Sequence, residues 1–451
     1  MRLRTRSAFT AAILGVLFAP ALPAQSQAPA ARRITLDEAV QLALAHNHVV
    51  RIANFKIDEK EHEKDVAKSA YFPSLKNEST VVRITDLQHV DIPAGSLGTV
   101  DGEQIPAHTI NLLQGGQTFE TSGTSLSEPL TSLLKVKAKN DVAAADLNAT
   151  RDEARQTQNE VALKVRQIYY GILIAQMHLA ALKAGVTATQ DIERERTQQV
   201  KFGSALDEDL IESKAQSLES KQALLTAELQ ISDLTTQLDD AIGLPLDTQL
   251  ALDSATPQVH ELCQIEECKH LAVDSHPDVK AAEQKVAEAA AAVRLARRDY
   301  LPDTEIFARY SYQNNVPFLV HNFGTFGFLF TYDIFDGGRK RAVVAEQRSQ
   351  LDEANENLSR VKEEVELHVQ IAYNKLDRTR EMVTVSQQLL ALREESYRVA
   401  NQQLEQGTIL QSQLSLATER ELDAKAALLQ SQLDYVQAQD ELSVATGQTP
   451  E

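Results

Sequence analysis

The sequence predicts an α+β membrane protein in which one unit, made of long α-helices and a β-hairpin, occurs twice. Three observations carry this prediction: an N-terminal export signal, an internal repeat, and short aromatic strands placed between very long helical stretches. The chain has 451 residues, of which only 5% are aromatic, a composition typical of long helices. Its formal charge of −19 argues against sequence-independent nucleic-acid binding, which needs a basic surface.

Residues 1–24 have the pattern of a signal peptide. Three arginines within the first six residues precede an uncharged run from Ala8 to Ala19, and Ala24 follows two prolines. The apolar run is too short for a membrane anchor, and no later stretch approaches 18 apolar residues, so we expect no membrane-spanning helix. The mature chain is therefore periplasmic, secreted, or a β-type outer-membrane protein.

The remaining chain contains two copies of one plan. Residues 34–50 match residues 263–279 at an offset of 229, which also carries Pro73 onto Pro302. Further along, the offset is 204 and pairs Gly203 with Gly407. We therefore expect a first repeat over 25–243, a linker over 244–262 and a second repeat over 263–451.

Each repeat is expected to contain a helix, a β-hairpin, a long helix, a glycine turn and a return helix. Helical spacing of apolar residues, proline stops and C-terminal glycines set the boundaries. The long helices would reach ~100 Å, and two short helices placed end to end would match each long one. The predicted elements are helix 36–72, hairpin 75–128 with a long exposed loop over 85–117, long helix 133–201 and return helix 205–243, then helix 265–301, hairpin 304–333, long helix 340–405 and return helix 409–446.

The second hairpin has the clearest strand pattern. Its aromatic residues alternate with Gly327, Leu329 and Thr331, which predicts a strand with one lipid-facing aromatic surface formed by Phe326, Phe328, Phe330 and Tyr332. The partner strand is Glu305 to Gln313, and Asn314, Asn315 and Pro317 form the turn.

Two hairpins supply four strands per chain, whereas bacterial outer-membrane barrels need at least eight because every edge must be paired in lipid. If these strands span a membrane, the chain must therefore oligomerise. The alternative is a small soluble β-domain at the end of a coiled coil.

Several short motifs follow one another along the two halves. Leu-Asp-Glu-Ala at 36–39 precedes Ala-His-Asn at 45–47, and Tyr-Leu-Pro at 300–302 precedes Asp-Ile-Phe-Asp-Gly-Gly at 333–338. With the duplicated halves and glycine turns, these motifs make the whole mature chain similar to the TolC-like outer-membrane efflux family. In the first half, Glu-Pro-Leu-Thr-Ser-Leu at 128–133 departs from the Asp-Gly-Gly motif.

This resemblance implies a homotrimer in the bacterial outer membrane, with a large periplasmic portion. Each chain would contribute four transmembrane strands to a 12-stranded β-barrel, and its helices would form a periplasmic α-barrel. The family's members are passive exit ducts without enzymatic activity or cofactor, and they work with a periplasmic adaptor (membrane fusion) protein and an inner-membrane transporter. A periplasmic or surface coiled-coil scaffold or adaptor component without a channel is the alternative function.

The resemblance also places the periplasmic entrance at the helix-tip turns of Gly203 and Gly407. Asp209 matches the family's first-tip aspartate, but Gln413 and Leu416 stand where acids are expected in the second tip, and Ile409 replaces the latching arginine. The paired aspartate ring is therefore absent. A cluster of Asp207, Glu208 and Asp209 instead predicts a cation-preferring entrance. The alternative is a solvated acidic helix start.

The apolar residues of the tips are candidates for contact with the helical hairpin of an adaptor, or for packing within the chain: Leu206, Leu210, Ile211, Leu410 and Leu414.

Cys263 and Cys268 face an oxidising compartment and either pair or remain free thiols. Metal-ligand spacing, phosphate-binding loops and nucleophile motifs are absent from the sequence, so no metal, cofactor or catalytic residue is expected.

Overall fold

The computed structural model describes residues 32–86, 89–113, 116–246, 248–253, 263–316 and 320–449. The predicted signal peptide, Pro317 and most of the predicted linker lie outside these residues. The helices are α1 (Leu36–His46), α2 (His48–Ser69), α3 (Ser132–Lys201), α4 (Asp207–Ile242), α5 (Ile265–Ser275), α6 (Pro277–Arg298), α7 (Arg339–Glu405) and α8 (Gln411–Ala445).

The strands occur between the helices in both halves. They are β1 (Arg32–Ile34), β2 (Ser74–Arg83), β3 (His89–Ile92), β4 (Thr99–Val100), β5 (Glu103–Gln104), β6 (Ile110–Leu113), β7 (Thr118–Pro129), β8 (Leu250–Leu252), β9 (Asp303–Asn314) and β10 (Asn322–Thr331). Strands β1 and β8 form a small parallel sheet.

The long helices α3 and α7 organise the helical layer. Helix α3 packs against α2 and α4 on one side and against α6 and α8 on the other, and α7 packs against α6, α5 and α8. The short helices are stacked end to end: the Asn47 amide donates to the Ala241 carbonyl at 3.2 Å, and the Ser275 hydroxyl donates to the Thr446 carbonyl at 3.0 Å. The layer therefore has α2 and α4 at one edge and α7 at the other.

The continuous helices expected over 36–72 and 265–301 are wrong, because each is broken near its start. Asn47 and His276 have extended backbones, and their side chains accept from the N–H of Val49 and Asp278. Pro277, at the first position of α6, is a sequence signal for this second break.

The break makes room for the end of each return helix. Gly243 and Gly447 follow α4 and α8 with positive φ, and each lies against a break. A Cβ on Gly243 would be 2.8 Å from the Cβ of His46, and one on Gly447 would be 2.6 Å from the Cα of His276. Glycine is required at both positions by the backbone conformation and by the close approach.

The two hairpins form one antiparallel sheet in the order β10-β9-β7-β2. One face carries apolar and aromatic residues, as in the row Phe326, Ala308, Leu126 and Leu75. The next row on the opposite face is Thr325, Arg309, Ser125 and Lys76. The apolar character of this face is strongest on β9 and β10, because β7 and β2 also place Thr124, Ser122, Asn77 and Ser79 on it.

The expected long loop over 85–117 contains secondary structure. Strand β3 pairs with β6, and β4 pairs with β5, so two short hairpins extend the first hairpin beyond Arg83. Glycine and proline favour turns, and this segment is rich in both. The sequence therefore predicts a loop here and does not indicate the short strands.

The main core lies around the middle of α3, where Val165, Ile168, Tyr169, Tyr170 and Ile172 are buried against α1, α4 and α8. Among the described residues, this helix alone is long and apolar enough to cross a membrane by length and composition. This test uses length and mean hydropathy alone and does not contradict the expectation that no helix spans the membrane. Packing against other helices of the chain accounts for the apolar residues of this core.

Candidate functional site

The two helix tips form the end of the molecule remote from the sheet. Gly203 and Gly407 have φ of +71° and +70°, in turns that join α3 to α4 and α7 to α8. Each turn has the same pattern of backbone bonds, in which the glycine N–H donates three residues back, to Val200 or Leu404. The left-handed backbone favours glycine and ends each long helix.

The acidic cluster predicted at the first tip occupies the first turn of α4. Asp209 caps this helix, since its carboxylate accepts from the Leu206 N–H at 3.0 Å. Asp207 and Glu208 are exposed, and their side chains take part in none of the hydrogen bonds or ion pairs of the described residues. Two acids per chain are therefore free to face solvent at this tip.

The second tip is built differently. Helix α8 has no acid in its first turn, and Gln413 is exposed there. A carboxylate from α3 takes this place: Glu195 accepts from the Ser412 N–H at 3.0 Å and from the Ser412 hydroxyl at 2.5 Å. The partnership spans 217 residues, so no local pattern indicated it.

A second carboxylate of α3 contacts α8 one turn further along. Asp191 accepts from the Ser415 hydroxyl at 2.7 Å with one oxygen and from Arg194 at 2.8 Å with the other. Asp191, Ser412 and Ser415 are all buried. Sequence reasoning missed this contact as well.

The apolar tip residues differ in exposure. Leu206, Ile211 and Leu410 are exposed, Leu206 to 70%, whereas Leu210 and Leu414 are half-buried. Phe202, which sequence reasoning missed, is exposed to 85% beside Gly203. The first tip thus presents the larger apolar surface.

The aromatic face of β10 is open. Phe326, Phe328 and Phe330 are exposed, Phe326 to 88%, and Tyr332 is exposed one residue beyond the end of the strand. On the opposite face, the Arg309 guanidinium lies against Gly123, where a Cβ would be 2.5 Å from its Nη2.

Both edges of the helical layer carry exposed apolar residues. On α4 they recur at a seven-residue spacing as Ile211, Leu218 and Leu225, followed by Leu229. On α7 the exposed large apolar residues are Leu367, Ile371, Met382, Val385, Leu389, Leu392 and Val399. No element of the described chain covers these two rows.

Cys263 and Cys268 are joined in a disulfide at the start of α5, where Cys268 is buried in the second core cluster. Across the described ranges, no group of three or more His, Cys, Asp or Glu side chains has a metal-binding arrangement.

The family model of the outer membrane efflux protein matches residues 39–244 and 269–448. The chain belongs to this family. The two matched segments correspond to the two repeats, and family members are outer-membrane channels with a large periplasmic helical portion. The resemblance found in the sequence is thus confirmed, and the protein is an outer-membrane efflux channel.

Solved structures of low sequence identity share the fold. The CmeC outer membrane channel of Campylobacter jejuni is 17% identical, with 91% of this chain and 85% of that chain covered at a TM-score of 0.72. The outer membrane protein VceC of Vibrio cholerae is 14% identical, with coverages of 92% and 97% and a TM-score of 0.70. A membrane protein from Pseudomonas aeruginosa is 18% identical, with coverages of 92% and 90% and a TM-score of 0.72. Among curated protein sequences, none matches this chain.

The predicted fold class is confirmed by this membership, as are the efflux function and the outer-membrane location. Members of the family are channels rather than enzymes.

Proposed function

We propose that three copies of this chain close into one passive duct without catalytic activity, the outer-membrane part of a tripartite pump. A periplasmic adaptor and an inner-membrane transporter would be its partners, as is general for this family. One observation carries the proposal. The sheet ends in two strands with unpaired edges, and the helical layer of the same chain has exposed apolar residues at both of its edges.

The sheet supports closure by oligomerisation. Strands β2 and β10 are its outermost strands, and each pairs on one side only within the described residues. In lipid an unpaired strand edge costs several kcal/mol for each unsatisfied backbone group. Pairing β10 of one copy with β2 of the next removes all such edges, and three copies supply 12 strands, within the range of known barrels.

The helical layer supports the same arrangement. In a closed ring, α7 of one copy lies beside α2 and α4 of the next. The uncovered apolar rows of α4 and α7 would then face each other, as the a and d positions of a coiled coil do. A row of apolar residues on each of two edges is what a repeating interface requires.

The number of copies is tested by native mass measurement of the detergent-extracted particle. We expect a mass of three mature chains. A dimer would also reach the minimum of eight strands, so a mass of two chains contradicts the trimer but not the channel. A monomer that is stable without detergent contradicts both, and would favour the coiled-coil scaffold, which the family membership disfavours.

The entrance is proposed to prefer cations. Three copies of Asp207, Glu208 and Asp209 would place nine carboxylates around the narrow end, and a ring of carboxylates favours cations in a pore. Gln413 adds no charge at the second tip. Because Asp209 caps α4, the test uses Asp207→Asn with Glu208→Gln, which leaves the cap intact.

Reversal potentials across a planar bilayer under a KCl gradient measure this preference. We expect the double variant to shift the potential toward zero in low salt, with a smaller shift near 1 M salt, where the screening length is only about 3 Å. Glu228→Gln with Asp233→Asn, on the same helix far from the tip, is the matched control. An unchanged potential in the tip variant contradicts the proposal.

The exposed apolar residues of the first tip are proposed to bind the adaptor. Phe202, Leu206 and Ile211 are the exposed apolar residues of the first tip, and Leu410 adds a smaller surface at the second tip. Phe202→Ser and Leu206→Ser should abolish cross-linking to the adaptor in cells without changing the amount of trimer. Normal cross-linking in the serine variants would contradict an adaptor site at the first tip. Leu210 and Leu414 are half-buried and are expected to pack within the chain instead.

A further inference from the structure

A polar cavity of about 210 Å³ lies where the base of the second hairpin meets the starts of α3 and α7. Three cations and three carboxylates line it, and their formal charges cancel. They are Lys135, Arg339 and Lys340, with Asp299, Asp303 and Asp333. A cavity without net charge does not favour an anion or a cation, but it suits a ligand that carries both charges.

The cations on the α7 side have hydrogen-bond donors to spare. Lys340 is only 12% exposed, and its Nζ lies 3.4 Å from Asp333 and 5.5 Å from the centre of the Tyr332 ring. The Arg339 guanidinium lies 3.8 Å from the same carboxylate. Neither side chain donates a hydrogen bond within the part of the chain that the structure describes. An ammonium has three donors and a guanidinium has five, and phosphate oxygens are acceptors that fit both.

The carboxylates on the α3 side have acceptors to spare. Lys135 Nζ lies 2.8 Å from Oδ1 of Asp303 and 3.4 Å from Oδ1 of Asp299, so it occupies one oxygen of each carboxylate. The second oxygen of each takes part in none of the hydrogen bonds or ion pairs of the described ranges. These oxygens can accept from the ammonium of a ligand whose phosphate is bound on the α7 side.

The cavity lies at the edge of the lipid-facing surface. Tyr332 lines the cavity and stands one residue beyond the aromatic face of β10. Tyrosine at the end of a lipid-facing strand is typical of the level of the lipid headgroups. Ile334 and Phe335 follow directly and are 92% and 89% exposed. A polar cavity beside two open apolar side chains fits a ligand with one polar end and one apolar end.

Hydrogen bonds within the chain fix the loop between β10 and α7. The Asp336 carboxylate accepts from the N–H of Gly338 at 3.0 Å and from the N–H of Lys340 at 2.9 Å. The start of α7, which carries both cations, is therefore held in place by the protein itself. A preformed site loses less conformational entropy when a ligand binds.

We propose that this cavity binds the headgroup of a phospholipid that carries a phosphate and a primary ammonium. The phosphate accepts from Arg339 and Lys340, and the ammonium donates to Asp299 and Asp303. The acyl chains lie along the aromatic face of β10. At the repeat offset of 204, Pro129 and Val136 stand in place of Asp333 and Lys340, so the first repeat lacks the site and we expect one lipid per chain.

Native mass spectrometry of the detergent-extracted particle, titrated with single lipids of identical acyl chains, measures this binding. The probes are phosphatidylethanolamine, phosphatidylcholine, whose ammonium has no N–H, and phosphatidylglycerol, which is an anion. We expect one phosphatidylethanolamine per chain, bound about ten-fold more tightly than either other lipid, the factor for one charge-assisted hydrogen bond. Soluble phosphoethanolamine at the same concentration should not displace it, because it lacks the acyl chains.

Two variants test the two charges of the headgroup separately. Arg339→Gln removes a phosphate donor and should weaken the binding of phosphatidylethanolamine by about ten-fold. Asp299→Asn with Asp303→Asn removes the ammonium acceptors and leaves a positive cavity, so the preference should change to phosphatidylglycerol. Arg341→Gln is the matched control. Arg341 is exposed in the same turn of α7, does not line the cavity and forms no ion pair within the described residues, so binding should be unchanged.

Equal binding of the three lipids by the unmodified protein overturns the proposal. So does an equal loss in Arg339→Gln and Arg341→Gln, because it indicates attraction to basic side chains in general. Soluble phosphoethanolamine that binds as tightly as the lipid also overturns it, in favour of a site for a free zwitterion. If the double variant fails to assemble, Arg339→Gln decides, since Arg339 is 64% exposed. A particle that binds the lipid but does not conduct contradicts the proposed duct and leaves this site intact.

Discussion

Replacing Asp146 by Asn should weaken the contact between three helices near the sheet. Asp146 of α3 pairs with Lys60 of α2 at 3.0 Å and with Lys285 of α6 at 2.5 Å. Burial alone would raise the pKa of Asp146, but the hydrogen bonds from Lys285 and Lys60 outweigh it and hold the pKa below its ordinary value of 3.8. The charged carboxylate is therefore the form that stabilises the fold.

The loss of stability expected for Asp146→Asn follows from the exposure of the paired side chains. The Asp146 side chain is 19% exposed, so its pairs are stronger than surface pairs, whereas Lys285 is 42% exposed and solvent screens its pair. Both lysines also keep an acidic neighbour, Glu63 or Glu288. We assign about 1 kcal/mol to each pair, and therefore a loss of about 2 kcal/mol in the free energy of unfolding.

Urea unfolding of the detergent-solubilised protein, followed by its helical circular dichroism, measures this loss. Asp141→Asn is the matched control, because Asp141 joins the same helices α3 and α6 through an exposed pair with Arg294 at 3.6 Å. We expect the control to cost no more than about 0.5 kcal/mol. Equal losses in the two variants would refute the reasoning.

The pH dependence gives a second measurement on the same variant. Because the folded pKa of Asp146 lies below 3.8, the folded state binds fewer protons there than the unfolded state. The stability contributed by this group is complete above pH 3.8 and is lost as the pH falls through the lower, folded value. The difference between the protein and its Asp146→Asn variant should shrink in the same range.

Two further changes test the packing of the repeats. The Tyr169 hydroxyl lies 2.8 Å from the Asp253 carbonyl and 3.1 Å from that of Ile34, so Tyr169→Phe should lower the unfolding free energy by about 1 to 2 kcal/mol and increase proteolysis at β1; unchanged proteolysis would contradict the role of this hydroxyl. Gly447→Ala should lower the unfolding free energy several times more than Gly203→Ala. Both glycines have positive φ, but only at Gly447 would a Cβ also clash with backbone atoms. Equal melting temperatures of the two variants would contradict this difference.

The elements most predictable from the sequence are those with a local physical signal. The fold class follows from the repeat, and the aromatic face of β10 follows from residues alternating with a period of two. Positive φ at Gly203 and Gly407 is a local requirement that glycine meets, and both lie between a long helix and its return helix. Signals of this kind need no knowledge of distant contacts.

The elements that were missed depend on contacts between distant parts of the chain. The break at Asn47 accommodates the end of α4, about 195 residues later, and the local signal for it is a single capping side chain. The partnership of Glu195 with Ser412 links two helices across 217 residues of sequence. A surface acid in a long polar helix has no pattern that identifies such a partner.

The contact between Glu195 and Ser412 occurs at positions where the two repeats differ in sequence. The offset of 204 relates Glu195 to Val399 of α7, and Ser412 to Glu208 of α4. In the proposed ring, α7 lies beside α4 of the next copy as α3 lies beside α8, so Val399 would lie opposite Glu208.

The two seams of the proposed ring would therefore differ in chemistry at the same height. Within one chain, a carboxylate bonds a helix start, whereas between copies an apolar residue opposes an acid that is not paired within its own chain. An acid next to an apolar side chain gains nothing from the contact and favours solvent. At this height the seam between copies would therefore lack the hydrogen bonds that join Glu195 to Ser412 within one chain.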